Sequence, residues 1–256
     1  MSNTFLEAPS IKDVQEGNAF FQIRQKGAAV ARIQLLLGVF DDGVFGSNTE
    51  KKVIAFQQRL DIQDDEGKIG KATLAALEEA NKPILDSVAK IDRRNKTVKL
   101  HPELRKRLAQ LAEVLTGRNM NALITDAFRT FAEQDIIFAK GRTTPGNIVT
   151  GARGGLSNHN YGLAIDMYPV IDGRVFTEIP KNATTAFKQS FNRIQQAIID
   201  ESENLGLFSG SHFTREDTPH VQLLAENVLN ARECFNIFNA NNKNFDAVWN
   251  EATRHV

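Results

Sequence analysis

The chain has 256 residues, 41% of them hydrophobic and 24% charged, which is enough apolar material for one or two globular domains. Its 31 basic and 31 acidic residues balance, and this neutrality argues against a general attraction to nucleic acid or anionic lipid. The single cysteine, Cys234, excludes an intramolecular disulfide, and we expect a buried thiol in a helix.

The N-terminal segment, Met1–Pro9, has neither the basic region nor the apolar region of a secretory signal. No run in the sequence approaches the roughly 18 apolar residues of a membrane span. We therefore expect a soluble chain made in the cytoplasm, without membrane insertion. If its substrate lies outside the membrane, another factor must release it.

A repeated turn marks the first organised region. The pattern acid-Gly-x-apolar-Gly-x-x-Thr of Asp42–Thr49 recurs 24 residues later in Glu66–Thr73. Its glycines permit positive φ angles, and each threonine falls near a helix start. Apolar residues at helical spacing before, between and after the copies predict three helices. The sequence therefore predicts a small three-helix bundle at residues 22–80.

This bundle resembles the peptidoglycan-binding type 1 domain. The resemblance rests on both turns and on the pairs Ile33-Gln34 and Phe56-Gln57 that precede them. It implies that the first domain binds peptidoglycan. The alternative is a generic helical bundle with repeated turns.

A polar segment that contains Pro83, residues 81–98, predicts a linker with a short helix at Ile84–Ile91. The second domain is predicted at residues 99–256. Its elements are a helix from Pro102, a strand at Ala122–Thr125, a helix at Phe131–Lys140, a strand at Gly162–Val170, a helix at Ala183–Leu205, a strand at Val221–Leu223 and a mostly helical tail at 225–256. Helices and strands mix without regular alternation, so the predicted fold class is α+β with a small antiparallel sheet.

Three side chains outside the motifs are not expected to take part in the chemistry. We expect Trp249, in the tail, to be a packing residue. His101, beside Pro102, and His255, at the end of the tail, are interpreted as surface residues.

The segment Ser157–Asp166 carries the strongest chemical signal. In a strand at Gly162–Tyr168, Asp166 shares a face with Ala164 and Tyr168. A carboxylate in such an apolar strand is costly to bury unless it is paired or bound to metal. His159 lies just before the strand, and His220 could come from an adjacent strand. Either histidine alone would more often be a core residue, but two histidines and a carboxylate leave one open position on a tetrahedral zinc, as in catalytic sites.

Asp217 lies three residues before His220. A carboxylate at that place could accept a proton from a zinc-activated water and later pass it to the leaving amine. The adjacent Glu216 is the alternative base. Neighbouring side chains of an extended segment point to opposite faces, so we expect only one of the two to serve.

The pattern Ser157-x-His159-x-x-Gly162-x-Ala164-x-Asp166, with Asp217-x-Pro219-His220, resembles the signature of the LAS metallopeptidases. That group includes D-Ala-D-Ala carboxypeptidases, vancomycin-resistance dipeptidases and phage L-alanyl-D-glutamate endopeptidases. The likeness extends upstream through Thr125–Thr130 and Gln134, and the stretch Gly141–Thr150 is most similar to the L-alanyl-D-glutamate branch.

The resemblance implies roles for individual residues. It makes His159, Asp166 and His220 the zinc ligands and Asp217 the general base. It makes Arg129 the cation that holds substrate and stabilises the developing oxyanion. Ser157 is expected to support the ligands or touch substrate. Related enzymes often carry a tryptophan shortly before the Asp-x-x-His motif, and here His212 or Phe213 stands in that place.

Together these inferences predict a modular phage endolysin with Zn²⁺ as cofactor and peptidoglycan as partner. We expect a monomer that cleaves the L-Ala–D-Glu amide of the stem peptide. It would be made in the host cytoplasm and act on the cell wall, in the periplasm, after release. The alternatives are cleavage of D-Ala–diaminopimelate or terminal D-Ala-D-Ala bonds and, in another class, a non-catalytic wall-binding protein.

Overall fold

The computed structural model describes residues 5–256, which form two compact units that meet between Pro83 and Ile84. This boundary lies inside one helix, Lys71–Ile91. The helix predicted at Ile84–Ile91 is therefore present, but it continues the helix that begins at Lys71, and from Ile84 the predicted linker 81–98 belongs to the second unit. Val88 and Ile91 are both buried, so apolar packing favours the helix despite Pro83. Within residues 5–256, every helix is too short or too polar to cross a bilayer.

The first unit is mainly helical, as predicted. Three helices occupy the region 22–80, and a short helix and a parallel pair of two-residue strands extend the unit towards the N-terminus. The elements are β1 (Leu6–Glu7), α1 (Ile11–Glu16), β2 (Gln25–Lys26), α2 (Ala28–Leu37), α3 (Ser47–Leu60) and the first part of α4 (Lys71–Ile91).

A buried glutamine on α2 closes the first copy of the repeated turn. Gln34 Nε2 donates to the carbonyl of Val44 at 3.0 Å and to Thr49 Oγ1 at 3.1 Å. Its Oε1 accepts from the backbone N–H of Gly43 at 2.8 Å. The glycine and the threonine of the sequence pattern are therefore two partners of one side chain.

A second glutamine, on α3, repeats this arrangement. Gln57 Nε2 donates to the carbonyl of Lys68 at 2.7 Å and to Thr73 Oγ1 at 3.1 Å, and its Oε1 accepts from Gly67 N–H at 2.9 Å. Both glutamines are at least 96% buried, so the paired turns are part of the core rather than surface loops.

The second unit has the predicted α+β fold. Its sheet is antiparallel, with the order β3-β4-β7-β6 and with β5 paired to β4. Helix α7 packs against β4 and against α5. The elements are α5 (Pro102–Gly117), β3 (Asn121–Asp126), α6 (Phe131–Ala139), β4 (Ala164–Ile171), β5 (Arg174–Val175), α7 (Thr185–Asn204), β6 (Phe208–Ser209), β7 (His220–Gln222), α8 (Ala231–Ala240) and α9 (Phe245–Thr253).

His101 is buried, and its interpretation as a surface residue is wrong. It precedes α5, where its Nδ1 accepts from the backbone N–H of Glu103 at 3.2 Å as an N-cap. Its Nε2 lies 3.2 Å from the carbonyl of Trp249 and 3.1 Å from Thr253 Oγ1, both on α9. The proximity of Pro102 suggested a surface turn, but the packing of α9 covers the imidazole.

The C-terminal helices pack behind the turn that carries His159. Trp249 is 4% exposed, and its indole N–H donates to the carbonyl of Tyr161 at 2.7 Å, which confirms it as a packing residue. Cys234, on α8, is fully buried, and burial raises the pKa of its thiol to about 12. The buried helical thiol is thereby confirmed.

Candidate metal centre

Strand pairing places Asp166 directly beside His220. Strands β4 and β7 are antiparallel neighbours, and their register sets Asp166 opposite His220. Directly opposed residues of an antiparallel pair point to the same face, so the carboxylate and the imidazole lie side by side. The adjacent backbone bond from Met167 N–H to the carbonyl of Pro219, at 2.9 Å, continues the pairing past the motif.

A 3-10 turn at Asn158–Tyr161 supplies His159. The turn ends at Gly162, whose φ of +65° suits glycine. A Cβ at this position would lie 2.1 Å from the carbonyl oxygen of Lys99, so no other residue fits without a backbone shift. The glycine of the sequence motif thus lets the chain turn tightly between His159 and the strand that carries Asp166.

Three atoms of these residues form a nearly equilateral triangle. His159 Nε2 lies 3.2 Å from His220 Nδ1 and 3.3 Å from Asp166 Oδ1, and His220 Nδ1 lies 3.4 Å from the same oxygen. Tetrahedral zinc with bonds of about 2.0–2.1 Å sets its ligand atoms about 3.3–3.4 Å apart. The spacing therefore fits three ligands of one zinc ion, with the fourth position left open.

The outer nitrogens of the two imidazoles carry the ring hydrogens. His159 Nδ1 lies 2.7 Å from the carbonyl of Ala127, and His220 Nε2 lies 3.0 Å from Gln222 Oε1, both acceptors. Two nitrogen lone pairs and a carboxylate oxygen consequently face one point. Such a set of atoms is stable when a cation lies between them.

Arg129 is fixed at the edge of this group. Its guanidinium binds the Asp126 carboxylate through Nε, at 3.1 Å, and through one terminal nitrogen. The other terminal nitrogen donates to Gln134 Oε1 at 2.6 Å. Arg129 also lies 3.9 Å from Asp166 Oδ2, and it is mostly buried. It is thus a preorganised cation beside the metal site, and it also forms an ordinary salt bridge with Asp126.

Gln134 connects Arg129 to a wall of the cleft. It is fully buried, and its Nε2 donates to the carbonyl of Ala152 at 2.9 Å. The sequence placed Gln134 in a region of family likeness without assigning it a role. Its position indicates that it holds the guanidinium and the 150–152 segment together.

One cleft of about 310 Å³ contains every residue predicted for the site. Apolar side chains, among them Ile137, Val149 and Leu156, contribute to its lining. The structure therefore brings the predicted set together, and it adds Tyr168 and Phe213 to the lining. The predicted site residues in the cleft are Arg129, Ser157, His159, Asp166, Asp217 and His220.

The two candidate bases face different ways. Asp217 lines the cleft of the metal site, whereas Glu216 lines a separate shallow pocket beside α7. A turn in which His220 N–H donates to the carbonyl of Asp217 at 3.1 Å brings Asp217 back towards the metal site. Partial burial and the negative charge of Asp166 raise the pKa of Asp217. This geometry favours Asp217 over Glu216.

A close backbone approach keeps this turn in place. Asp217 N–H donates to the carbonyl of Gly210 at 2.9 Å, and a Cβ on Gly210 would lie 2.4 Å from the carbonyl oxygen of Asp217. The glycine therefore permits the 210 segment to pack directly behind Asp217 and His220.

Of the two residues expected in place of the family tryptophan, Phe213 is the one in the cleft. It lines the cleft, and its ring lies 5.4 Å from the His220 ring. His212 instead pairs with Glu203 at 2.7 Å on the exposed side of the same segment. Phe213, and not His212, therefore contributes to this wall of the cleft.

Sequence reasoning missed two polar residues of the site, Gln222 and Asn158. Gln222 accepts from His220, and Asn158 donates to Gln222. Strand alternation offered one signal, because Gln222 lies two residues after His220 and therefore on the same face. Asn158 gave no comparable signal, since its contact depends on the tertiary position of the 3-10 turn.

Comparisons with known proteins show the family of the chain. The family model VanY, described as D-alanyl-D-alanine carboxypeptidase, matches residues 97–203, and the model of a putative peptidoglycan binding domain matches residues 28–77. The peptidoglycan L-alanyl-D-glutamate endopeptidase CwlK of Bacillus subtilis (strain 168) is 34% identical over 127 residues, which cover 49% of this chain and 74% of CwlK.

Two solved structures are also similar over about half of the chain. The L-Ala D-Glu endopeptidase ChiX of Serratia marcescens is 18% identical, with 55% of this chain and 95% of ChiX covered and a TM-score of 0.34. A zinc-bound vancomycin resistance D,D-pentapeptidase, VanY from a VanB-type cassette, is 15% identical. The match covers 54% of this chain and 78% of that chain, with a TM-score of 0.36. Because both TM-scores are low, the assignment of the chain to a family rests on sequence similarity. The chain belongs to the LAS-type zinc peptidases and carries an N-terminal peptidoglycan-binding domain.

Proposed function

We propose that this protein hydrolyses the amide between L-Ala and D-Glu in the stem peptide of peptidoglycan. One observation carries the proposal: a ligand triangle of His159, Asp166 and His220 shares its cleft with the carboxylate of Asp217. The similarity to CwlK, whose name gives it this bond specificity, supports the choice of bond.

Zinc held by His159, Asp166 and His220 would polarise both the attacking water and the scissile carbonyl. Asp217 accepts the proton of that water and delivers it to the leaving nitrogen of D-Glu. One carboxylate therefore acts first as the general base and then as the general acid. A pKa raised by partial burial makes Asp217 a stronger base than an ordinary surface carboxylate. Arg129 stabilises negative charge on the carbonyl oxygen, and Ser157 orients the peptide.

The first unit supplies the affinity for the insoluble substrate. A module that binds peptidoglycan keeps the catalytic domain close to many cleavable bonds and raises its effective concentration there. The match of residues 28–77 to a putative peptidoglycan binding domain supports this division of labour.

We also propose that the protein is a monomeric phage endolysin that does not use nucleic acid as a partner. It would be made in the cytoplasm of the host and act on the cell wall, in the periplasm, after release. The pairing of a wall-binding module with a peptidase supports this interpretation. Lysis of host cells by the protein added from outside, after their outer membrane is permeabilised, would test it.

A second candidate bond follows from the VanY match, whose description names D-alanyl-D-alanine carboxypeptidase. The same site could remove a terminal D-Ala or cut D-Ala–diaminopimelate, because the chemistry at the amide is identical. Analysis of the products, and not the metal site, therefore shows which bond is cut.

Mass spectrometry of digested, purified sacculi distinguishes these bonds. We expect fragments with a new free N-terminus on D-Glu. Release of free D-Ala, or fragments cut at diaminopimelate, would move the assignment to the second candidate. Asp217→Asn should slow fragment release by at least about 100-fold while zinc stays bound. A zinc-loaded wild-type protein that binds sacculi and releases no fragment would indicate a wall-binding protein without catalytic activity.

A further inference from the structure

His220 faces the ligand triangle with Nδ1, the ring nitrogen nearer to its own backbone. A neutral imidazole can act as a ligand through Nδ1 only if its hydrogen resides on Nε2. The residue that contacts Nε2 therefore decides whether His220 is ready to bind metal.

Gln222 makes that contact. It lies two residues after His220 on β7, so both side chains project from the same face of the strand. Gln222 is 1% exposed, and its Oε1 lies 3.0 Å from His220 Nε2. An amide oxygen only accepts, so this contact places the hydrogen on Nε2 of His220.

Two further hydrogen bonds fix which end of the Gln222 amide faces His220. Its Nε2 donates to the carbonyl of Leu224 at 2.7 Å, and its Oε1 accepts from Asn158 Nδ2, also at 2.7 Å. A reversed amide would place two acceptors against each other at Leu224, whose backbone carbonyl cannot exchange its role. The orientation of Gln222 is therefore determined by its surroundings, and so is the tautomer of His220.

Asn158 also joins the two elements that carry the histidines. It belongs to the 3-10 turn of His159, whereas Gln222 belongs to the strand of His220, 64 residues away in sequence. Asn158 is 8% exposed, so this bond lies in a largely dry environment, where such bonds are strongest. The Asn158–Gln222 bond thus supports the spacing of the histidines as well as the tautomer of one.

The other histidine is controlled differently. The outer nitrogen of His159 faces the backbone carbonyl of Ala127, which no side-chain substitution removes. His220 depends on a side chain instead. The two ligands therefore respond differently to mutation, and Gln222 is the position at which the site can be tuned.

We propose that Gln222, oriented by Asn158 and Leu224, is a positioning residue that presets His220 as an Nδ1 ligand and thereby sets the affinity of the site for zinc. This inference rests on the proposed metal site, and it assigns Gln222 no contact with substrate.

Zinc affinity of the full-length protein, measured by competition with a chromophoric chelator, tests the proposal. Gln222→Met keeps the length of the side chain but removes the acceptor, and we expect zinc binding about 10–100-fold weaker than in the wild type. Gln222→Glu keeps an acceptor beside Nε2, and we expect it to bind zinc at least about 10-fold more tightly than the methionine variant.

Gln195→Met provides the matched control. Gln195 donates to the carbonyl of Thr218, in the turn before His220, but the bond involves no imidazole. We expect its zinc affinity to stay within about two-fold of the wild type, because the tautomer of His220 is untouched. Equal losses in Gln195→Met and Gln222→Met would overturn the proposal and indicate general loosening of the turn.

A second variant and a second measurement keep the proposal testable if the first variant fails to fold. If Gln222→Met does not fold, Asn158→Ala frees the Gln222 amide while its acceptor remains, and zinc affinity should still fall several-fold. Long-range ¹H–¹⁵N spectra of the metal-free wild type, recorded where the imidazole is neutral, should place the His220 hydrogen on Nε2. A hydrogen on Nδ1, or unchanged affinity in the folded variants, would contradict the role of Gln222. Wild-type protein that binds no zinc would instead contradict the proposed metal site itself.

Discussion

At the scale of single residues, His101 is held in its neutral form by its surroundings. Burial lowers its pKa from 6.5 to about 4, although the hydrogen bond to the carbonyl of Trp249 acts in the opposite direction. In the unfolded chain the same imidazole would take up a proton near pH 6.5. The unfolded state therefore binds more protons than the folded state between these two values.

The free energy of unfolding should consequently fall as the pH is lowered from 6.5 to about 4, by about 3 kcal/mol from this residue. The stabilising contribution of the neutral His101 should be fully present above pH 6.5. His101→Asn keeps a capping acceptor before α5 but has no proton to gain, so its stability should depend less on pH across this window. Urea unfolding of both proteins, with zinc removed, measures the difference. Parallel curves would show that His101 does not titrate as expected.

The site residues themselves were largely predictable from the sequence. The spacing of His159 and Asp166 around Gly162, and the Asp217-x-x-His220 pair, identified the side chains that the structure brings into one cleft. The motif also favoured Asp217 over its neighbour Glu216, but the geometry that separates them was not predictable. Glu216 and Asp217 face different pockets because a turn ends at His220, and a linear pattern does not contain that geometry.

At the scale of elements, the two repeated turns depend on Gln34 and Gln57. Each glutamine bonds a glycine N–H, a carbonyl and a threonine hydroxyl, and the glutamine and threonine side chains are buried. A buried polar group that loses its partner costs about 1–3 kcal/mol. The turns should therefore be sensitive to the loss of either amide.

We expect Gln34→Met and Gln57→Met each to destabilise the first unit by about 3 kcal/mol, because several buried groups lose their partner at once. Gln58→Met is the control. Gln58 is exposed and bonds only the Glu66 side chain in the described contacts, so its change should stay within about 0.5 kcal/mol. Chemical unfolding of the full-length proteins measures both effects. Equal stability in the three variants would mean that the turns do not depend on these glutamines.

Element identity was easier to predict than element boundaries. Periodic apolar residues correctly indicated the three helices of the region 22–80, the helices of the second unit and the strands β3, β4 and β7, whereas the six-residue helix α1 was not predicted. The linker prediction gave Pro83 too much weight, since α4 continues past it to bury Val88 and Ile91. The short strands β1, β2, β5 and β6 have two residues each, too few for a period to be visible.

At the scale of the whole molecule, binding and hydrolysis are assigned to different units. His159→Ala removes a ligand from the second unit and leaves the sequence of the first unchanged. We expect this variant to co-sediment with purified sacculi as the wild type does, within about two-fold, and to release no soluble fragments. A variant that released fragments at the wild-type rate would show that hydrolysis does not use His159. A variant that neither bound nor cut would indicate that binding is not confined to the first unit.

The central claim is that His159, Asp166 and His220 hold one zinc ion in a hydrolytic site. Anomalous diffraction at the zinc absorption edge, on crystals of zinc-loaded protein, measures this directly. We predict a single strong peak within about 2.0–2.2 Å of His159 Nε2, Asp166 Oδ1 and His220 Nδ1. A peak bound by other residues, or no peak in the cleft at full zinc loading, would contradict the account.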